Sequence, residues 1–255
     1  TDLIELIKLN VRIPEVAMGD MSAQIAACKQ GALRVKALCD KYSPETVKAA
    51  MAQVIDRTDQ AMRKMIRALD DGEYAASIKL DIDPEFNVEQ PELCLQITIA
   101  GEEISFSFEG TTAANAGPLN LPRYGAEAEI SAAIKSLLLP DDAANEGHNR
   151  ALNFIIPDGL LVSPQRPTPV DCYMFVAECL FELVVRALSG VLGERCPAGG
   201  YQLCGVGLMR TDPKYGEPFV LMEPLVGGNG ATPHDDGSTM MFIGNGDVPN
   251  LPTEV

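Results

Sequence analysis

"SPETVKAAMAQVIDRTDQAMRKMIRALDDGEYAASIKLDI", residues 43–82, changes its hydrophobic period part-way along. Val47, Met51, Val54, Ile55, Met62, Met65, Ile66 and Leu69 recur at three and four, which marks one face of an amphipathic helix. Ser43 is placed to cap it, Pro44 takes the first helical position, and Gly72 ends it. After that glycine the period falls to two. Tyr74, Ala76, Ile78, Leu80 and Ile82 alternate with polar or small residues, as in a half-buried strand. Helical and extended segments therefore come in blocks, which predicts an α+β fold.

Upstream, "MSAQIAACKQGALRVKALCDKY" (21–42) reads as a second helix introduced by Pro14 and the Gly19-Asp20 pair, with Asp20 or Ser22 as N-cap. The two helices are expected to form an antiparallel hairpin at the N-terminal end. Downstream, Leu93, Leu95, Ile97 and Ile99 alternate, as do Ile104, Phe106 and Phe108. Together with residues 74–82 they predict a three-stranded antiparallel meander that turns at Gly101. A long loop (110–125), a helix ended by Pro140 and a short strand near 151–157 follow. Residues 170–192 are apolar nearly all round and predict a buried central helix. Its Glu178, Glu182 and Arg186 fall at i, i+4, i+8 and make one narrow polar stripe with a favourable Glu182–Arg186 pair. Further short strands are expected at 201–210, 217–225 and 238–244. The organisation read from this is a helical-hairpin segment, 1–72, and an α+β segment, 73–255.

A formal net charge of -16 sets nucleic acid and anionic membranes aside as partners. The seven cysteines are odd in number and form no CxxC, which suits a reduced, cytoplasmic chain. The longest apolar stretch, Val170–Leu192, is interrupted by Asp171, Glu178, Glu182 and Arg186, so no membrane span is expected.

"GGNGATPHDDG", residues 227–237, combines backbone freedom with polar groups. It is neither GxxxxGK[ST] nor GxGxxG, so it is not a phosphate loop of either known kind, though successive N–H groups there suit an anion-binding nest or a plain turn. His234, Asp235 and Asp236 are adjacent and His148 is remote, and zinc spacings are missing, so no complete metal site is expected within this chain. No GxSxG is present, and Glu102-Glu103 reads as a solvated turn.

The order of several elements resembles the hydantoinase B/oxoprolinase family. "RIPEVAMGDMSAQIAA" (12–27) is similar to its R-x-P-x-x-x-x-GD-x-x-AQ-x-A element. "FSFEGTTAANAGPLN" (106–120) resembles D-F-x-G-T-S and the Asn after it, with Ser107 and Thr112 departing from the usual spelling. "NEGHNRALNFIIPDGLLVSPQRPTPV" (145–170) resembles N-x-G-x-x-R-P-I-x-V-x-x-P-x-G-T-x-x-N-P-x-x-P, with Ala151, Leu160 and Ser163 as departures. The glycine stretch and "NLPTE" (250–254) complete the series.

The resemblance implies a B-type subunit working with an ATP-using hydantoinase A-type partner on a small-molecule substrate. The partner phosphorylates an amide or enolate oxygen. The B-type subunit then completes hydrolysis of a cyclic amide of hydantoin or 5-oxoproline type. The alternatives are carboxylation of a ketone, of acetone or acetophenone type, or a purely structural assembly role. It also implies that the chain is the middle of a longer subunit and inactive alone. The divalent-metal ligands would lie before residue 1, and a C-terminal part would follow residue 255. By the same resemblance, His234 and Asp235 are the candidate catalytic residues. Asp20 and Gln24 at a helix start, Thr111 and Asn120 in the long loop, Asn145, His148, Arg150, Gly228 and Asn229 are the candidate substrate contacts. Arg150 is suited to gripping phosphate or carboxylate through two donors, or else to a surface ion pair; Asp20 alternatively caps a helix and Asn120 shapes a turn.

Overall fold

The computed structural model describes residues 2–11, 13–81, 90–200, 204–211, 216, 218–225 and 227–237. The chain divides into two compact units: Thr1–Val54 with Gly205–Pro224, and Ile55–Cys204 with Leu225–Val255.

In the first unit lie helices α1 (Asp2–Asn10) and α2 (Pro14–Tyr42), and α3 (Pro44–Ile66) begins there. Pro14 sits at the start of α2, where its missing N–H costs nothing. The Gly19-Asp20 pair, expected as a helix entry, lies inside α2, and neither Asp20 nor Ser22 caps it. Ser22 Oγ instead donates back to Met18 O at 2.7 Å. Ser43 performs the expected cap, its Oγ accepting from Thr46 N at 3.3 Å ahead of Pro44. The helices stand in the expected order. No residue of α2 is buried, and Ile25, Leu33, Val35 and Leu38 are exposed. Strands β5 (Cys204–Thr211) and β6 (Pro218–Leu225) form a two-stranded sheet. The strand expected at 238–244 and the "NLPTE" element lie outside the described residues.

The second unit holds the main core. Strands β1 (Gly72–Lys79), β2 (Glu92–Ala100) and β3 (Glu103–Ser107) form the expected antiparallel meander, and Ala100 pairs with Glu103 across the two-residue turn at Gly101. Gly101 has φ +64°, a conformation that strains residues with a Cβ. A fourth strand, β4 (Leu152–Ile155), joins β3 in parallel and gives the order β1-β2-β3-β4. Alternation sends Leu93, Leu95, Ile97, Ile99, Ile104 and Phe106 to the core, all fully buried or nearly so. Phe106 stacks on Phe154 across the β3–β4 pair with centroids 5.3 Å apart.

Helix α5 (Met174–Leu192) packs on β1 and β2, and α4 (Arg123–Leu138) packs on α5. A helix covered on two sides needs apolar residues on both, which is why α5 reads as apolar nearly all round. α3 ends at Ile66, earlier than Gly72. Turn hydrogen bonds at Ala68 and Leu69 then tuck Leu69 into the same core as Met62 and Ile66.

Candidate functional site

The motif Asn145–Arg150 forms a short 3-10 turn (Glu146–Asn149) fastened to α3. Asn145 Oδ1 accepts from Gly147 N at 2.9 Å, and its Nδ2 donates to Thr58 Oγ1 at 2.8 Å. Gly147 lies against the helix backbone. A Cβ there would run into Ile55 O and stand 2.9 Å from Asp59 N, so only glycine fits. His148 is buried; its Nδ1 sits 3.2 Å from Asn145 N and 2.9 Å from Asn145 O, while Nε2 has no hydrogen-bond partner among the described residues. Arg150 is ion-paired with Asp56 at 2.7 Å, on the surface. Asn145, His148 and Arg150 thus lie together, and Arg150 makes the surface ion pair that is the alternative to an anion grip.

Arg63 completes this clasp. Its Nε donates to Asp59 at 2.9 Å, its Nη1 to Glu103 at 3.1 Å and Glu102 at 3.4 Å, and its Nη2 to Arg150 O at 3.2 Å. Hydrogen bonding from Arg63 lowers the Glu103 carboxyl below its ordinary value, and the Glu103 bond raises Arg63 in turn. The acidic turn at 102–103 is thus an anchor for α3 rather than a merely solvated feature. Arg67 also pairs with Glu102, at 3.1 Å.

Thr111 and Asn120 organise the long loop. Thr111 Oγ1 accepts from Cys94 N and donates to Cys94 O, both at 3.0 Å, which extends the β2 pairing past the end of β3. Asn120 is completely buried. Its Nδ2 donates to Gly117 O (2.7 Å), Pro169 O (2.9 Å) and Asn115 O (3.0 Å), and its Oδ1 accepts from Asn115 N at 3.0 Å. With its amide occupied by the loop, Asn120 shapes that loop and has no donor left for a ligand. Asp20 and Gln24 are exposed within α2, one turn apart, in the first unit.

The glycine stretch folds against residues 194–198. Ala198 N donates to Ala231 O at 2.8 Å, and His234 Nε2 lies 2.9 Å from Glu194 Oε2. A Cβ at Gly230 would strike Ala198 O, and one at Gly237 would strike Asn229 O. Thr232 Oγ1 accepts from His234 N (3.3 Å) and Asp235 N (3.1 Å), making a tight turn. His234 and Asp235 are exposed on that turn, Gly228 and Asn229 are half-buried, and Asn229 Oδ1 is shielded without a partner among the described residues.

Sequence reasoning missed a cavity of about 410 Å³ beside β1 and α5, lined by Ile78, Lys79, Leu119, Phe175, Glu178 and Arg186 among others. The signal was present: a charged stripe on an otherwise apolar helix. Arg186 Nε donates to Glu182 Oε1 at 2.8 Å as expected, but Glu178 is buried, only 4% exposed. Burial, with a nearby glutamate in each case, lifts the Cys94 and Cys196 thiols above their ordinary value.

Among the described residues no three His, Cys, Asp or Glu side chains converge as metal ligands. No helix among them is long and apolar enough to cross a membrane. The model of the family described as hydantoinase B/oxoprolinase matches residues 1–255. This chain belongs to that family.

Within the hydantoinase B/oxoprolinase family, the caprolactamase subunit beta of Pseudomonas jessenii is 28% identical over 244 residues, 92% of this chain and 41% of that protein. The fold matches the crystal structure of ATP-dependent caprolactamase from the same organism with TM-score 0.86 at 24% identity, covering 94% of this chain and 42% of that one. It matches the nucleotide-free acetone carboxylase structure with TM-score 0.76 at 18% identity, covering 96% and 36%. The chain therefore spans about two fifths of the length of these relatives. The α+β architecture expected from the sequence is the family's fold.

Proposed function

We propose that this chain is the middle of a B-type subunit that completes the hydrolysis of an ATP-activated cyclic amide. The observation that carries the reading is the family match along all 255 residues, together with a caprolactamase subunit aligned over 92% of the chain. Phosphorylation of an amide oxygen by an A-type partner turns a poor electrophile into one with a leaving group. The second site then needs preorganised dipoles more than a strong nucleophile. In this reading His234 and Asp235 face the ligand from the glycine turn, with Gly228 and Asn229 beside them. Asn120, Thr111 and the Asn145–Arg150 clasp hold the surrounding loops. ATP is bound by the partner, and the divalent metal by the portion of the subunit preceding residue 1. The test is turnover of a panel of lactams, 5-oxoproline and hydantoin with ATP by the assembled complex. Turnover by this chain without a partner, or absence of ATP-dependent ring opening in the complex, sinks the reading. Ketone carboxylation is the outcome to score beside it, given the fold shared with acetone carboxylase.

One observation favours an assembly role for the first unit. Leu3, Leu6, Leu9, Val16, Ile25, Leu33, Val35 and Leu38 are all exposed along α1 and α2. A run of this kind marks a surface that another protein segment covers. Replacing Leu33 and Leu38 with Gln should weaken co-purification of the other subunits while leaving the fold of the second unit intact. Unchanged assembly would remove this role.

A further inference from the structure

We propose that one face of α2 is a coiled-coil seam, covered by a single helix from the part of the subunit outside residues 1–255, and that this helix carries acidic residues along one flank. Met21, Ile25, Cys28, Ala32, Val35 and Cys39 follow one another at four, three, four, three and four residues. Met18 and Tyr42 extend the series by one step at each end. That alternation is the a/d repeat of a coiled coil, and a stripe so spaced winds slowly about its helix, so its partner must be a helix that winds with it. The stripe is about 36 Å long at 1.5 Å per residue. None of it is buried: Ile25 is 49% exposed, Val35 45% and Tyr42 49%, and Cys28 is exposed as well. Small residues at its middle, Cys28 and Ala32, allow close approach. Gly31 beside them has nothing within 4 Å of where a Cβ would stand.

Charge and chain length select the occupant. Lys29 and Lys36 line one flank of the stripe, where coiled coils form ion pairs, and Gln24, Gly31 and Leu38 line the other. Lys36 is paired with Asp40 at 2.6 Å, while Lys29 has no ion pair among the described residues. A second copy of α2 gains nothing on these flanks. Antiparallel, it would set lysine against lysine; parallel, it would set lysine against Gln24 and Gly31. A helix with Glu or Asp on the facing flank meets Lys29 with opposite charge. The match leaves more than half of the caprolactamase subunit outside it, since this chain covers 41% of that protein. A helix tethered to the same polypeptide meets the seam at a high effective concentration, which a free subunit does not. The inference rests on the reading of this chain as part of a longer subunit, and not on the reaction.

The experiment is alkylation of Cys28 by iodoacetamide, read by peptide mass, in three preparations: the 255-residue chain, the full-length subunit alone, and the subunit assembled with its partner. Cys28 should react freely in the first, about tenfold or more slowly in the second, and no more slowly still in the third. Ile25→Gln and Val35→Gln should restore the reaction in the full-length subunit, because each places a polar group in the seam. Both positions are exposed here and Gln is a good helix former, so α2 itself survives the change. Lys29→Glu should restore the reaction in part. Ala23→Gln and Ala37→Gln, on the face away from the stripe, should leave Cys28 protected. Protection that begins only when the partner is added, protection of the 255-residue chain that grows with its concentration, equal rates throughout, or indifference to Lys29→Glu overturns the proposal. A native polypeptide no longer than 255 residues sinks the longer-subunit reading. Cys28 left reactive in a longer one sinks only the seam.

Discussion

Asn145 and Thr58 are joined by a hydrogen bond, Nδ2 to Oγ1 at 2.8 Å, although 87 positions separate them in sequence. That bond and the close approach of Gly147 to Ile55 and Asp59 make the Asn145–Arg150 motif a clasp on α3. Gly147→Ala should therefore destabilise the protein by about 1–3 kcal/mol through overpacking against backbone that cannot turn aside. Asn145→Ala should cost about 1 kcal/mol through the lost cap. Thermal melts check both. A wild-type melting temperature with impaired substrate binding would instead make the motif a ligand contact.

Glu103 should make stability depend on acid. Its carboxyl is held below the ordinary value chiefly by the Arg63 hydrogen bond. The folded form thus stays ionised at pH values where the unfolded one takes a proton. The stabilisation is present above the unfolded carboxylate range, near about pH 4.3, and is lost as pH falls through the lower folded value. Glu103→Gln should lower the melting temperature near neutrality, where the charged pair is present, and should flatten its further fall in acid. An unaltered acid limb would show that the pair contributes nothing measurable.

Asn120→Asp tests whether a buried amide is structural. The substitution keeps the shape but replaces a group that donates to three carbonyls with one that only accepts. Unsatisfied carbonyls facing a buried carboxylate should lower stability by roughly 2–4 kcal/mol. The melting temperature should drop together with activity. A large fall in substrate affinity at unchanged melting temperature would return Asn120 to the ligand.

Asp235→Asn separates turn from site in the glycine stretch. Asp235 is exposed, and the described turn is held by Thr232 and backbone groups. The variant should melt like wild type, while kcat/KM in the assembled enzyme falls by about one to two orders of magnitude if a charged hydrogen bond to the ligand is lost. Gly230→Val should lower both stability and activity, because its side chain would enter the Ala198 backbone. Wild-type kinetics for Asp235→Asn would leave the stretch as a plain turn.

The meander was legible because alternation alone assigns each side chain to a face, and the register bears this out from Gly72–Ile99 to Ala100–Glu103. The entry of α2 was misread because Gly19-Asp20 is turn chemistry, yet a helix already begun at Pro14 tolerates one glycine. The burial of Glu178 was hidden for a different reason. A stripe at i, i+4, i+8 fixes which residues share a face, but nothing local says whether that face meets water or a wall. Arg150 pairing with Asp56, and Asn120 turning its amide inward, depend on contacts between distant segments.

The parallel pairing of β4 with β3 carries a kinetic consequence. β2 and β3 can zip from the turn at Gly101, and β1 lies next to β2 in sequence. β4 can dock only after residues 108–151, including α4, have closed a wide loop. The meander should therefore gain exchange-protected amides early on refolding, with Asn153 and Phe154 protected in a later phase together with α4.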